Sequence, residues 1–272
     1  MSERTGDSQP VKPRANRLDG KAWTRNSISV WSDIRKTPEE ARLKHPAMFP
    51  AALVARLIEC FAAPGDRVVL DPFAGLGSTL VAAAQASMEG IGIELNPDFA
   101  RIARRRAGGN RAGGAAKMHI GDARHLSRFV APRSVDLVIT SPPYWDILTR
   151  RRSADGKPIR NYGRAGADIG RIASYDEFLD ALQEVFAQVF AALRPGKYCI
   201  PVVMDLRKHG RFYPFHSDLA RRLESIGFIH DDMIVWDRRQ EYNNLRPLGY
   251  PYVFRVNKVH EFALIFRKPV DR

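Results

Sequence analysis

The sequence predicts an α/β fold, a mostly parallel sheet with helices on both faces. Three observations predict it. Short β-branched runs alternate along the chain with stretches of helical period, the order expected of parallel strands joined by crossover helices. The first such run, residues 67–71, ends in an acid and leads through a Gly-containing turn into the apolar stretch 79–85, a strand, turn and helix in sequence. With 272 residues, 44% of them hydrophobic, the chain can also fill a core of that size.

Each element follows from local pattern. Residues 1–25 mix Pro, Arg, Asn, Gly and Ser with few apolar side chains and read as a mobile basic arm, leaving 26–272 as the folded domain. From Pro50 the apolar positions Leu53, Val54, Leu57, Ile58 and Phe61 recur at helical spacing until Pro64-Gly65 stops them. Strands are expected at 67–71, 90–95, 117–120, 135–140, 198–204, 228–236 and 259–266. Helices are expected at 79–85, 97–106, 175–193 and 215–226. The stretch 145–174 is Arg-rich and without clear periodicity; connections of that length are usually functional or mobile.

Charge narrows the partners. Lys and Arg number 43 against 30 Asp and Glu, a net +13, and 33 of the 43 are Arg. Such an excess suits a polyanion, since cationic side chains gain affinity by releasing phosphate counterions. No apolar run is long enough to span a membrane and the polar N-terminus lacks a signal-peptide pattern, so the expected location is the cytoplasm. Cys60 and Cys199 have no metal-ligand spacing and read as buried thiols; His209, His216, His230 and His260 are scattered, and no metal is expected.

At the first strand-to-helix turn stands Asp71-Pro72-Phe73-Ala74-Gly75-Leu76-Gly77-Ser78-Thr79. Glycines there let backbone approach a ligand closely. Glu94 ends the next strand, 19 positions after Gly75, where a carboxylate can accept from ribose hydroxyls, and Asp122 follows the strand after that. Acids at three successive strand tips suit a ligand carrying an amine, a ribose and an amino-purine, which S-adenosyl-L-methionine combines. A dinucleotide fits less well, because Leu80 occupies the place of the third glycine, and no Lys follows to form a P-loop.

The strand 135–140 leads into Ser141-Pro142-Pro143-Tyr144. The two prolines fix the backbone and cannot donate, so the segment offers a rigid wall of acceptors beside an aromatic face. The Ser141 hydroxyl and Pro142 carbonyl can accept the two protons of an exocyclic amine while Tyr144 stacks on its ring.

Together, His45-Pro46-Ala47-Met48-Phe49-Pro50, Asp71 through Ser78, and Thr140-Ser141-Pro142-Pro143-Tyr144 resemble the DNA amino-methyltransferases that modify cytosine N4 or adenine N6. The resemblance covers roughly residues 30–266. It implies a Rossmann-like fold with a seven-stranded sheet whose last strand is antiparallel, and S-adenosyl-L-methionine as methyl donor. It places His45, Pro46 and Phe49 beside the methionine part, residues 71–79 and Thr140 around the cofactor, and residues 141–144 at the target amine. Ser at the first motif position is commoner among cytosine-N4 enzymes, so that base is favoured over adenine N6. Cytosine-C5 chemistry is disfavoured, because it needs a nucleophilic cysteine, usually after proline, and neither cysteine suits.

DNA is the implied partner, with a restriction endonuclease as a companion the resemblance leaves open, as it does the oligomeric state. The base must be flipped out to reach the donor. Two segments are candidates for gripping DNA: Arg150, Arg151, Arg152, Arg160 and Arg164 within 145–174, as phosphate contacts, and Arg238, Arg239, Gln240, Asn243, Asn244 and Arg246 within 237–257, as base readers. Asp146 can take the leaving proton or simply cap its loop. An RNA or protein amide methyltransferase and a non-catalytic nucleic-acid-binding module are the alternative readings. The His-Pro element precedes the cofactor strand as in relatives whose catalytic segment comes first, yet here residues 141–144 follow, a cyclically shifted order.

Overall fold

A computed structural model describes residues 14–43, 48–108, 115–146, 168–241, 245, 247–248 and 250–271. The strands are β1 (Val30–Trp31), β2 (Val68–Asp71), β3 (Glu89–Glu94), β4 (Ala116–Ile120), β5 (Val135–Thr140), β6 (Leu193–Val203), β7 (Leu206–Lys208), β8 (Arg211–Tyr213), β9 (Ile229–Asp237) and β10 (His260–Arg267). The helices are α1 (Gly20–Asn26), α2 (Pro38–Arg42), α3 (Ala51–Phe61), α4 (Ser78–Gln85), α5 (Pro97–Gly108), α6 (Tyr175–Ala192) and α7 (Phe215–Ile226).

Eight strands form one sheet in the order β1-β9-β10-β6-β5-β2-β3-β4. Every neighbour pair is parallel except those made by β10, which runs antiparallel to both β6 and β9. β5 separates two cores: Leu137 and Ile139 belong to the one that holds α3 and part of α4, while Val138, and Val135 beyond an irregularity in the strand register, belong to the one that holds α6. The order reverses between β2 and β5, whose carboxyl ends therefore flank an open crevice.

Four features differ from the sequence expectation, the first being the five-residue α2, which is too short to show a period. The sheet has an eighth strand, β1, paired with the edge of β9; two residues are too short to show a period, and Trp31 holds it by burial and an indole hydrogen bond to the Asn26 carbonyl at 3.0 Å. The stretch expected as an arm is partly built into the fold. Asn16 donates to the Cys60 carbonyl (3.0 Å) and Arg17 to that of Pro64 (2.7 Å), and Asp19 caps α1. Polar anchoring of this kind leaves no apolar stripe for a sequence reading to find. Finally, β7 and β8 form a hairpin turned by His209 and Gly210, both at positive φ.

Gly77 sets the entry to α4. Its φ is +78°, and a Cβ there would lie 2.7 Å from the Ala103 Cβ of α5. Gly75, at φ +51°, would bring its Cβ no nearer than 4.0 Å to the Phe73 carbonyl. Gly77→Ala is therefore expected to destabilise the fold by roughly 2–3 kcal/mol and Gly75→Ala by about 1 kcal/mol, compared by urea unfolding.

Candidate active site

The carboxyl ends of β2, β3 and β5 enclose one cavity. Asp71, at the end of β2, is 1% exposed. Its Oδ1 accepts from the Thr140 hydroxyl (2.6 Å) and the Phe73 N–H (3.0 Å), and its Oδ2 from the Thr79 hydroxyl (2.7 Å). Burial pushes its carboxyl up to about 6 against the pull of these hydrogen bonds. Asp71 thus ties β2 to β5 and to the first turn of α4. Thr79 and Thr140, expected as cofactor contacts, stand behind the cavity wall as donors to Asp71, and Gly77 packs on α5; none of the three lines the cavity.

Glu94 ends β3. It accepts from the Gly75 N–H through Oε2 (2.8 Å) and from the Asn96 N–H through Oε1 (2.7 Å), and so fixes the glycine turn. Burial, with Asp71 adding to it, carries its carboxyl up to about 7. Asp122 follows β4 and is less buried than the other two acids. Burial raises its carboxyl, but the fork of Arg124, at 2.6 to 3.2 Å, prevails and holds it below the ordinary range. Phe49, Pro72, Phe73, Gly75 and Ser78 also line this half of the cavity.

Ser141, Pro142, Pro143 and Tyr144 line the cavity from the β5 side. Tyr144 is 5% exposed, and its hydroxyl donates to Glu261 Oε2 at 3.0 Å and lies 3.2 Å from the Ser141 Oγ. Burial raises the phenol well above its ordinary range, so it stays protonated. Glu261, near the start of β10, also accepts a short hydrogen bond from Arg238, which pairs in turn with Glu241 at 2.7 Å and lies over the Trp236 ring. Sequence reasoning missed Glu261; an acid inside the otherwise apolar run of β10 was the available signal.

Other expected residues are placed as follows. Arg238, expected to read bases, is committed to Glu261 and Glu241 beneath the wall, because the antiparallel β10 brings its acid alongside the end of β9. Arg239 is exposed and forks Asp237, while Gln240 donates to the Ser32 carbonyl at 3.3 Å. Asp146 pairs with Lys208 at 2.8 Å and does not line the cavity. His45, Pro46, Arg150, Arg151, Arg152, Arg160, Arg164, Asn243, Asn244 and Arg246 lie outside the described residues. The sequence reading also missed Gly121, Asp168 and Ile169 in the lining; Asp168 caps a short turn through the Gly170 N–H at 3.0 Å. The β9–β10 connection exposes Tyr252 and Phe254 almost fully, and Lys258 reaches over the ring of Phe212 in the β7–β8 hairpin.

A family profile described as DNA methylase, of the N6 and N4 type, matches residues 3–105 and 135–272. The chain belongs to this family. Among curated members, the type II methyltransferase M.MjaI of Methanocaldococcus jannaschii is 30% identical over 179 residues, 57% of this chain and 56% of the relative. M.ScaI of Streptomyces caespitosus is 33% identical over 100 residues, 35% and 32% of the two chains. The chain therefore spans about a third to a little over half the length of these relatives. Of solved structures, TTHA0409 of Thermus thermophilus complexed with S-adenosyl-L-methionine matches at 30% identity and TM-score 0.40, over 57% of this chain and 56% of that one. TrmN from Thermus thermophilus shares the fold at 18% identity and TM-score 0.50, covering 80% and 48%.

The family's cofactor is S-adenosyl-L-methionine, and the cavity residues fit it. The Ser78 Oγ, at the first turn of α4, is buried in the lining with no hydrogen-bond partner, a polar atom awaiting a ligand group. Gly75 keeps a Cβ out of the lining beside it. Glu94, with one backbone N–H on each oxygen, retains lone pairs for two hydroxyls.

Proposed function

We propose that this chain is a DNA amino-methyltransferase that transfers a methyl group from S-adenosyl-L-methionine to the exocyclic amine of a flipped-out base, cytosine N4 being favoured. The observation that carries the reading is the single cavity that joins Glu94 and Ser78 on one side to Ser141–Tyr144 on the other. The bound donor supplies an already activated methyl on a sulfonium centre. Glu94 suits its ribose hydroxyls and Ser78 another of its polar groups. The protein's remaining task is alignment. An exocyclic amine is a poor nucleophile while its lone pair is conjugated with the ring. Hydrogen bonds from the amine to the Ser141 Oγ and the Pro142 carbonyl favour a pyramidal nitrogen, and holding it against the donor supplies the entropic share of the acceleration. The Tyr144 ring stacks on the base.

Ser141 in the first motif position supports cytosine over adenine. The net +13 charge and the exposed aromatics Tyr252 and Phe254, in a connection that also carries Arg255 and Lys258, support a nucleic-acid partner. The family membership favours DNA over RNA or protein. The type II methyltransferases among its relatives support a restriction-modification setting with an endonuclease as companion. Sequencing genomic DNA from cells that express the chain, with detection of both N4-methylcytosine and N6-methyladenine, tests the reading. N4-methylcytosine at one short sequence is expected. Labelled methyl entering RNA or protein and never DNA would overturn it.

Cofactor affinity should also follow Glu94. Burial pushes its carboxyl up to about 7, and only the ionised form offers all its lone pairs to ribose. Rising pH therefore tightens binding, by up to about tenfold between pH 6 and pH 8, with a flat profile in Glu94→Gln, as isothermal calorimetry would record.

A further inference from the structure

The residues behind the catalytic wall form a hydrogen-bond chain with a fixed direction. Arg238 donates to Oε1 of Glu261 in an ion pair, in which the carboxylate has only lone pairs to offer its neighbours. The Tyr144 hydroxyl must then give its hydrogen to Oε2 of Glu261, at 3.0 Å. With that hydrogen committed, the 3.2 Å contact between Ser141 and Tyr144 can only be donated by Ser141. The Ser141 hydrogen therefore points away from the cavity, and its lone pairs face in. We propose that Glu261 is a specificity-determining residue: acting through Tyr144, it sets Ser141 as an acceptor, so the site admits a base presenting an amino group and rejects one presenting a keto oxygen. This rests on the functional reading above, in which Ser141 meets the target amine.

The geometry makes an unusual variant informative. In Glu261→Gln the amide oxygen must face Arg238, because a guanidinium can only donate, and the amide nitrogen then faces Tyr144. The Tyr144 hydrogen turns to Ser141, and the Ser141 hydrogen turns into the cavity. One substitution with nearly unchanged shape thus reverses the polarity of the wall. Glu261→Asp keeps an acceptor-only group, and Tyr144→Phe removes the link and frees the Ser141 hydroxyl to rotate.

The test uses the full chain and two duplexes of its own target sequence, one with cytosine and one with uracil at the modified position. If the modified base is adenine, adenine and hypoxanthine replace them. Affinities are measured by fluorescence anisotropy with S-adenosylhomocysteine present. Each duplex costs the same to open for every variant, so that cost cancels when amino-to-keto ratios are compared between proteins. The unaltered chain is expected to prefer the amino base. Glu261→Gln should lower that ratio at least about tenfold, to parity or reversal, since an acceptor facing the site becomes a donor. Glu261→Asp should keep the preference, and Tyr144→Phe should move the ratio toward one. An unchanged ratio in Glu261→Gln, whatever its activity, would overturn the proposal and leave Glu261 as a prop. Should that variant not fold, an unchanged ratio in Tyr144→Phe overturns it equally. A chain that methylates DNA but shows no amino preference refutes this proposal alone, whereas one that methylates no DNA refutes the functional reading beneath it.

Discussion

Replacing Ser141 with Ala is expected to lower the rate of methyl transfer at least about a hundredfold while the dissociation constant for S-adenosyl-L-methionine stays within about twofold. The separation follows from where the residue sits. Ser141 lines the cavity from the β5 side, away from the Glu94 and Ser78 side proposed to hold the cofactor. Its hydroxyl is read as one of two acceptors for the amine, and that contact strengthens only as the nitrogen pyramidalises. The loss should therefore fall on kcat rather than on cofactor binding. Single-turnover transfer to duplex DNA measures the first quantity and calorimetry the second. Equal losses in both would contradict the assigned role.

Asp71→Ala should cost about 3 kcal/mol of stability and most of the cofactor affinity, whereas Asp71→Asn should cost about 1 kcal/mol. Removing the carboxylate strands three buried donors at once: two threonine hydroxyls and the Phe73 N–H. The amide can largely replace it. Its oxygen serves Thr140 and Phe73, its nitrogen donates to Thr79, and the Thr79 hydroxyl turns toward the Ile139 carbonyl, already 3.4 Å away. The same acid imposes a pH dependence. Its folded value of about 6 lies above the ordinary 3.8, so the folded state holds its proton more tightly. Its contribution is greatest below pH 4 and is lost as pH rises through about 6. Asp71→Asn should flatten that part of the stability profile, as urea titrations across the range would reveal.

Most of the fold was readable because buried parallel strands advertise themselves. Residues 135–140 of β5 carry Val, Leu, Val and Ile around a single acid, and α6 repeats apolar side chains over five turns. What escaped was held by polar contacts or was too short for a period: α1, α2, β1 and the β7–β8 hairpin. At the site, the glycine turn, Glu94 and the Ser-Pro-Pro-Tyr wall stood out by residue type and spacing. Their partners did not. Arg238 and Arg239 are neighbours in a cationic cluster, yet one is buried against Glu261 and the other is exposed on Asp237. Composition registers the cluster but not which member turns inward. Glu261 lies 117 positions from Tyr144, and only the insertion of β10 between β6 and β9 brings them together.

That insertion bears on how such chains diversify. Three pairs in the crevice tie one strand end to another across gaps in the sequence: Asp71 with Thr140, Gly75 with Glu94, Tyr144 with Glu261. Cutting the backbone in an outer loop and rejoining its old ends would rename the segments without moving any of these partners. The Ser-Pro-Pro-Tyr wall can then be encoded before or after the glycine turn, because the architecture is read across the sheet rather than along the gene.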